Sequence, residues 1–415
     1  MCRAPATAWR TVCTLLDHAE QLGLRASPWA TGEIDEAERV RRELERRLSV
    51  RGNAEPYSGA FVGQVVGAVT TSLDEGELAF VVARVLDDRH WPSFTHAWLE
   101  ERGQEFVLGQ GERYPVDEMR LMGAVGHSSR PYRLSLPEGE LPHVRRRSEE
   151  NIEVVVQGKH AAILDGLVAR APLTLAAALI NDTWDDLTVP PNSVAPKRPD
   201  RQMARIRRLL LQARERDVAA VVLPELCVNA DMVAHLATEW AEQLDAPLLF
   251  AGSVHQHHAG QRVNRTSVLL PGVGVAWTHD KFSVFETRDG EREPIDPKRP
   301  SVVLGCGALV RVATVICKDA LDVATANLLG DLGVHLLAVP AMSEVLGPFS
   351  TAPEVLIARS QGATVVANNP RVWAGDPVDH ALLGHPVRGM NRVVRRTGGR
   401  VPDLGIARLG SGWEQ

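Results

Sequence analysis

Lysine is nearly missing from this chain. Of 46 basic residues only five are lysines, Lys159, Lys197, Lys281, Lys298 and Lys318; the rest are arginine. A solvated positive face is written in arginine here, so a lysine in a conspicuous place asks for a reason. Cysteine is sparse as well. The five present (Cys2, Cys13, Cys227, Cys306, Cys317) are scattered and odd in number, which speaks against a disulfide framework and fits a reduced, cytoplasmic protein. No run of 18 apolar residues occurs; "LVARAPLTLAAALI" is broken by Arg170 and Pro172 and is too short to cross a bilayer. The opening "MCRAPATAWRTVCTLLDHAEQ" lacks the uninterrupted apolar core of a signal peptide. A net charge of −6 and a pI near 6.2 give no electrostatic reason to expect nucleic acid or an anionic membrane as partner. The first 165 residues hold no internal repeat, no glycine-rich phosphate loop and no metal-spaced Cys/His set. Neither cofactor nor metal is expected.

What is present divides into two textures. A chain of 415 residues is long enough for two or three domains. Residues 1–165 read as a mainly helical accessory domain. "IDEAERVRRELERRLSV" carries Glu and Arg at helical spacing, and "ELAFVVARVLDD" and "FTHAWLEERGQEFVL" also read as helices. "PYRLSLP" reads as a short strand. From Pro172 onward the pattern alternates. "LTLAAALIND", "VAAVVLPE", "PLLFAGSV", "RVATVIC", "VHLLAVPAM" and "ATVVANN" read as buried strands, with amphipathic helices between them. "NRTSVLLPGVGVAWTHDKF" reads as a hairpin around Pro-Gly-Val-Gly. Residues 172–415 are therefore expected to form an α/β domain with buried sheets covered by helices.

Three polar residues end apolar strands: Glu225 in "VVLPEL", Lys281 in "THDKF" and Cys317 in "VICKD". Strand ends are rigid places from which to aim side chains into a cleft. A cysteine at a strand-to-helix turn also gains free N–H groups and a positive dipole end, which favour a thiolate and a developing oxyanion. Asp319 is expected to cap the helix that follows. Attack by Cys317 on a carbonyl or nitrile carbon needs a base, which Glu225 supplies. It also needs a cation beside the atom that gains charge. The ammonium of Lys281 and the backbone N–H of Lys318 suit that place, and a compact ammonium suits a point-charge role better than a planar guanidinium.

These motifs, in this order, resemble the nitrilase superfamily of carbon–nitrogen hydrolases over residues 172–415. "VVLPEL", "HDKF" and "VICKD" are similar to its Glu, Lys and Cys motifs, and "FAGSV", "NRTSVLL" and "VHLLAVPA…ARSQGATVVANN" fit around them. The resemblance implies an α-β-β-α sandwich and hydrolysis of an amide, nitrile or N-carbamoyl compound through a thioester or thioimidate. It also implies a second glutamate between Lys and Cys. Glu293, four residues before Pro297 and 24 before Cys317, fits the family spacing better than Glu291 or Glu286. The family implies a homodimer or larger assembly. "LLGHPVRGMNRVVRR" stands roughly where its closing strand falls. Residue 318 departs from the family's usual aromatic or small polar residue; Lys318 is expected at the pocket mouth, binding a substrate carboxylate or phosphate.

Plainer readings stand beside these. A free cysteine at a strand end is usually a small buried apolar residue, and Cys227 is read as packing. "HQHH" (His255–His258) reads as a solvated hairpin loop with no completed metal site. The competing function is a catalytically silent scaffold or regulatory protein that binds a separate partner through residues 1–165.

Overall fold

The computed structural model describes residues 11–12, 14–15, 18–19, 21–23, 34–49, 59–86, 105–107, 152–168, 173–188, 194–286, 290, 292–307, 309–370, 378–387, 390–397, 401–409 and 412–414. Its strands are apolar where the sequence is apolar on both faces. Thr174–Leu179, Leu336–Ala341 and Ala363–Asn368 are buried at every position, as expected of parallel strands covered on both sides.

Among the described residues two eight-stranded sheets result, beside a short pair, Leu187–Thr188 with Ala195–Pro196. In the first, Arg311–Thr314, Leu336–Ala341 and Ala363–Asn368 run parallel. A hairpin, Asp379–Val387 with Met390–Thr397, closes one edge; it occupies the place expected for a single closing strand. In the second, Thr174–Leu179, Ala220–Val222 and Leu248–Phe250 run parallel. The hairpin Gln261–Leu270/Gly274–Asp280 extends that sheet on one side, and Asp403–Arg408 pairs with Thr174–Leu179 on the other.

The sheets face each other. Phe250, Trp277 and Val268 of the second pack with Val312, Leu336, Val365 and Leu383 of the first. Helices Pro199–Glu215 and Ala230–Glu242 cover the outer face of the second sheet through Ile206, Leu210, Leu236 and Trp240. Helices Val323–Asp331 and Thr351–Ser360 cover the first through Leu328, Leu329 and Leu356. The architecture is an α-β-β-α sandwich. Local chemistry sets the helix starts: Pro199 occupies the first turn of one. Asn229 and Asp322 cap two others by accepting from Met232 N and Thr325 N.

The first sheet also takes up strands from before residue 172. Glu153–Gln157 pairs in parallel with Ser301–Cys306 inside the first sheet, and Glu105–Val107 pairs antiparallel with Glu153–Gln157. Residues 105–107, read as helix, are therefore strand. Helix Ala161–Val168 follows, and Asp165 there accepts from Leu309 N at 2.7 Å. Before residue 105 the described chain is helical at Ile34–Ser49, Gly59–Gly67 and 75–86. Ala37, Leu44, Phe80 and Val82 belong to the same buried cluster as Val154, Val302 and Leu304 of the first sheet. "PYRLSLP" lies outside the described residues. Among the described residues no helix is long and apolar enough to cross a membrane.

A chain starting at residue 172 strips the Ser301–Cys306 strand of its parallel partner and exposes an apolar edge. Such a fragment is expected to aggregate, or to melt roughly 5 °C or more below a fragment starting at residue 152. Size-exclusion chromatography and thermal melting of the two check this; equal behaviour would show that Glu153–Gln157 is dispensable.

Candidate active site

Glu225, Lys281 and Cys317 meet where strands of both sheets end. Glu225 lies three residues past Ala220–Val222, Lys281 directly after Gly274–Asp280, and Cys317 three residues past Arg311–Thr314. Backbone and amide contacts tie the two sheets together at this end. Glu225 N donates to Ala341 O at 3.2 Å. Asn369 Nδ2 donates to Glu225 O at 3.1 Å and its Oδ1 accepts from Asn181.

The turns that aim these side chains are tight. Cys317 has φ +46° and Leu226, next to Glu225, has φ +56°. For non-glycine residues this left-handed backbone costs about 1–3 kcal/mol each and persists only where surrounding contacts impose it. Leu226 N donates to Ser253 Oγ. Gly252, at φ +63°, lets that strand end approach, since a Cβ there would sit 2.4 Å from Pro224 O. This explains the "FAGSV" sequence physically.

The polar groups are buried and paired. Lys281 Nζ donates to Glu225 Oε1 and to Glu293 Oε2, each at 2.8 Å; Lys281 and Glu225 are each 2% exposed. Asn264 Nδ2 donates to Glu225 Oε1 and to Glu293 Oε1, again each at 2.8 Å. Phe285 N donates to Glu293 Oε2. His255 Nε2 lies 3.2 Å from Glu293 Oε1. The Cys317 thiol donates to Met342 O at 3.8 Å, and the charge of Glu225 acts on it.

Burial and charge divide the titrations. Burial raises the Glu225 pKa; Lys281 pulls it down, Glu293 pushes it up, and the net direction is upward. Burial also favours protonated Glu293, but Lys281, with His255 and Asn264, overrides it and holds Glu293 down to about 2. Burial opposes the Lys281 ammonium, yet the two carboxylates raise its pKa well above the ordinary value. Burial, then the charge of Glu225, pushes the Cys317 thiol up. At rest the site therefore holds a protonated thiol, an ionised Glu293 and an ammonium, with Glu225 of raised proton affinity between them.

The two residues after Cys317, Lys318 and Asp319, also hold the loop beyond Lys281. Asp319, fully buried, accepts from Phe282 N at 3.4 Å and Ser283 N at 2.8 Å. The helix cap expected of it from the sequence is supplied by Asp322, which accepts from Thr325 N. Lys318 is exposed, and its ammonium donates to Val284 O at 2.9 Å. Glu286 forms an exposed pair with Arg292, and Glu291 lies outside the described residues. Cys227 is buried apolar packing.

Three site residues escaped the sequence reading. His255–His258 is not a loop but the end of strand Val254–His258, paired with Gln261–Leu270. Its first histidine is buried against Glu293, with a side chain 6% exposed. Asn264 and Ser253 were visible only as parts of "NRTSVLL" and "FAGSV". Among the described residues no His/Cys/Asp/Glu group is arranged to hold a metal.

No family model and no curated protein matches the chain. Solved structures similar to it include a glutamine-dependent NAD+ synthetase from Acinetobacter baumannii in complex with ADP. That match is 16% identical with a TM-score of 0.43, over 57% of this chain and 45% of the synthetase chain. An amidase from Nesterenkonia sp. is 15% identical, with a TM-score of 0.41 over 57% of this chain and 90% of its own. Saccharomyces cerevisiae Nit3, a member of branch 10 of the nitrilase superfamily, is 15% identical with a TM-score of 0.38, over 57% and 89%. At such identities and scores the weight of any functional reading falls on the chain's own geometry.

Glu293 gives the site a pH signature. Its value is about 2 in the folded chain against an ordinary 4.5, so between those limits the unfolded chain binds the proton first. Its contribution to stability is fully present above pH about 4.5 and is lost as pH falls toward 2. Glu225, raised on folding, contributes with the opposite sign. Glu293→Gln is therefore expected to lose less stability than the parent between pH about 6 and about 3. Urea denaturation at both pH values checks this; parallel losses would contradict the assigned ionisation.

Proposed function

We propose that the protein hydrolyses a non-peptide carbon–nitrogen bond, in an amide, nitrile or N-carbamoyl compound, through a covalent intermediate on Cys317. The observation that supports this best is one ammonium hydrogen-bonded to two buried carboxyl groups, one of which acts by its charge on a buried thiol at a strained strand end. A buried cluster of this kind is costly to fold, and strongly shifted groups gathered at strand ends are a mark of chemistry.

For an amide, Glu225 takes the thiol proton as Sγ attacks the carbonyl carbon, and the C=O electron pair moves onto oxygen. The negative charge thereby passes from Glu225 to the oxyanion, so the net charge of the buried cluster does not change. Lys281 stays anchored on Glu293 and stabilises that oxygen, together with the Lys318 N–H. As the C–N bond breaks, the leaving nitrogen takes the proton from Glu225, which leaves a thioester. Glu225 then deprotonates a water that attacks the thioester carbon, and the sulfur departs and regains its proton. With a nitrile, Sγ adds to the carbon and the proton held by Glu225 passes to the nitrogen, giving a thioimidate with nothing expelled; one water adds to it as ammonia leaves, giving the thioester, which a second water hydrolyses.

The silent-scaffold alternative has no use for a buried thiol, two carboxylates and an ammonium held this way. The hydrolase reading is tested by intact-mass and peptide mapping after exposure to a panel of amides, nitriles and N-carbamoyl compounds. An adduct confined to Cys317 is expected, and it should be absent from Cys317→Ala. Glu225→Gln is expected to lower turnover about 10²–10⁴-fold. The rate should fall on acidification through a pKa above the ordinary carboxylate value, because the base must be ionised and its pKa is raised. Full activity in Cys317→Ala would overturn the mechanism.

A further inference from the structure

The strand Val254–His258 brings to the site a group that neither the motifs nor the proposed steps use. His255 is flanked on its two ring nitrogens by different partners. Val194 N–H lies 3.3 Å from Nδ1, and Glu293 Oε1 lies 3.2 Å from Nε2. A backbone N–H can only donate, so Nδ1 accepts and carries no proton. The ring proton is then on Nε2, and Nε2–H donates to Glu293. One backbone contact thus selects the tautomer that the carboxylate needs.

This donor has a definite place in the network. Glu293 Oε1 accepts from both His255 and Asn264, which leaves Oε2 for Lys281 and Phe285 N. Without the His255 donor, Oε1 is held by Asn264 alone. Asn264 is itself divided between Glu293 and Glu225. Rotation of the Glu293 carboxylate would free Lys281 to settle on Glu225, weakening the base and withdrawing the ammonium from the reacting oxygen.

Resting on the hydrolase reading above, we infer that His255 is a positioning residue. As the Nε2–H tautomer held by Val194 N–H, it fixes the Glu293 carboxylate and, through it, the Lys281 ammonium. It touches no reacting atom.

Two amide replacements separate this role from a packing role. In His255→Gln the amide reaches the position of Nε2 and still donates to Glu293. In His255→Asn the shorter amide lies near Nδ1, where it still accepts from Val194 N–H but falls short of Glu293. The probe is p-nitrophenyl acetate on the full chain. Acylation transfers the acetyl group to Cys317 Sγ, sends the thiol proton to Glu225 and releases p-nitrophenolate, whose absorbance reports the burst; peptide mapping locates the acetyl group. The burst rate constant of His255→Asn is expected to fall about 10- to 100-fold, the cost of a misplaced group, with the half-saturating ester concentration little changed. His255→Gln should stay within a few-fold of the parent, with all melting temperatures alike. A parental burst in His255→Asn, or equal losses in both variants, would overturn the positioning role while leaving the hydrolase reading intact. A parent chain that never acquires acetyl on Cys317 would overturn the hydrolase reading, and this inference with it.

Discussion

The site depends on one interaction, the Lys281 ammonium suspended between Glu225 and Glu293. An ammonium with a single buried carboxylate partner would form a neutral pair, and that carboxylate would be a weak base. The second carboxylate changes this. It takes the permanent share of the lysine, stays ionised, and raises the proton affinity of the first. Two carboxyl groups share so small a buried space because Lys281 and Asn264 each donate to both of them. Removing any donor leaves a buried charge short of a partner, which costs more than the lost bond itself.

That constraint reaches into the fold. The ammonium arrives from one sheet and the thiol from the other, so their relative position depends on how the sheets are joined at this end. The Glu225 N–Ala341 O bond and the Asn181–Asn369 contact join the strand ends. Asp319 and Lys318, directly after the nucleophile, hold the backbone of the loop directly after Lys281. The scarce lysine at 318 has its explanation there: a flexible stem carries a single donor across to a carbonyl oxygen.

Much of this was legible in the sequence. Strands buried on both faces are written as unbroken apolar runs, so a polar residue ending such a run stands out. That is how Glu225, Lys281 and Cys317 were found. Glu293 was reached only through a family resemblance, because a loop residue carries no periodic signal. His255 was misread because four consecutive polar residues look like a loop; the partners that make it a strand lie across the hairpin. Asn264 was hidden by a bulge between Val275 and Trp277, which shifts the register so that Lys281 N meets Asn264 O. A regular hairpin would have set Asn264 opposite Asp280. The strand Glu153–Gln157 pairs with Ser301–Cys306, a non-local contact that no local pattern announces.

The Cys317 sulfur is nearly enclosed, and both burial and its carboxylate neighbour keep it protonated at rest. Peroxide and soft electrophiles attack thiolates, and they need access. The group on which turnover would depend is therefore chemically quiet between encounters, and its ionisation is coupled to the arrival of a carbon that can accept it. Such a sulfur should oxidise slowly between encounters and become reactive only when a substrate carbon is in place.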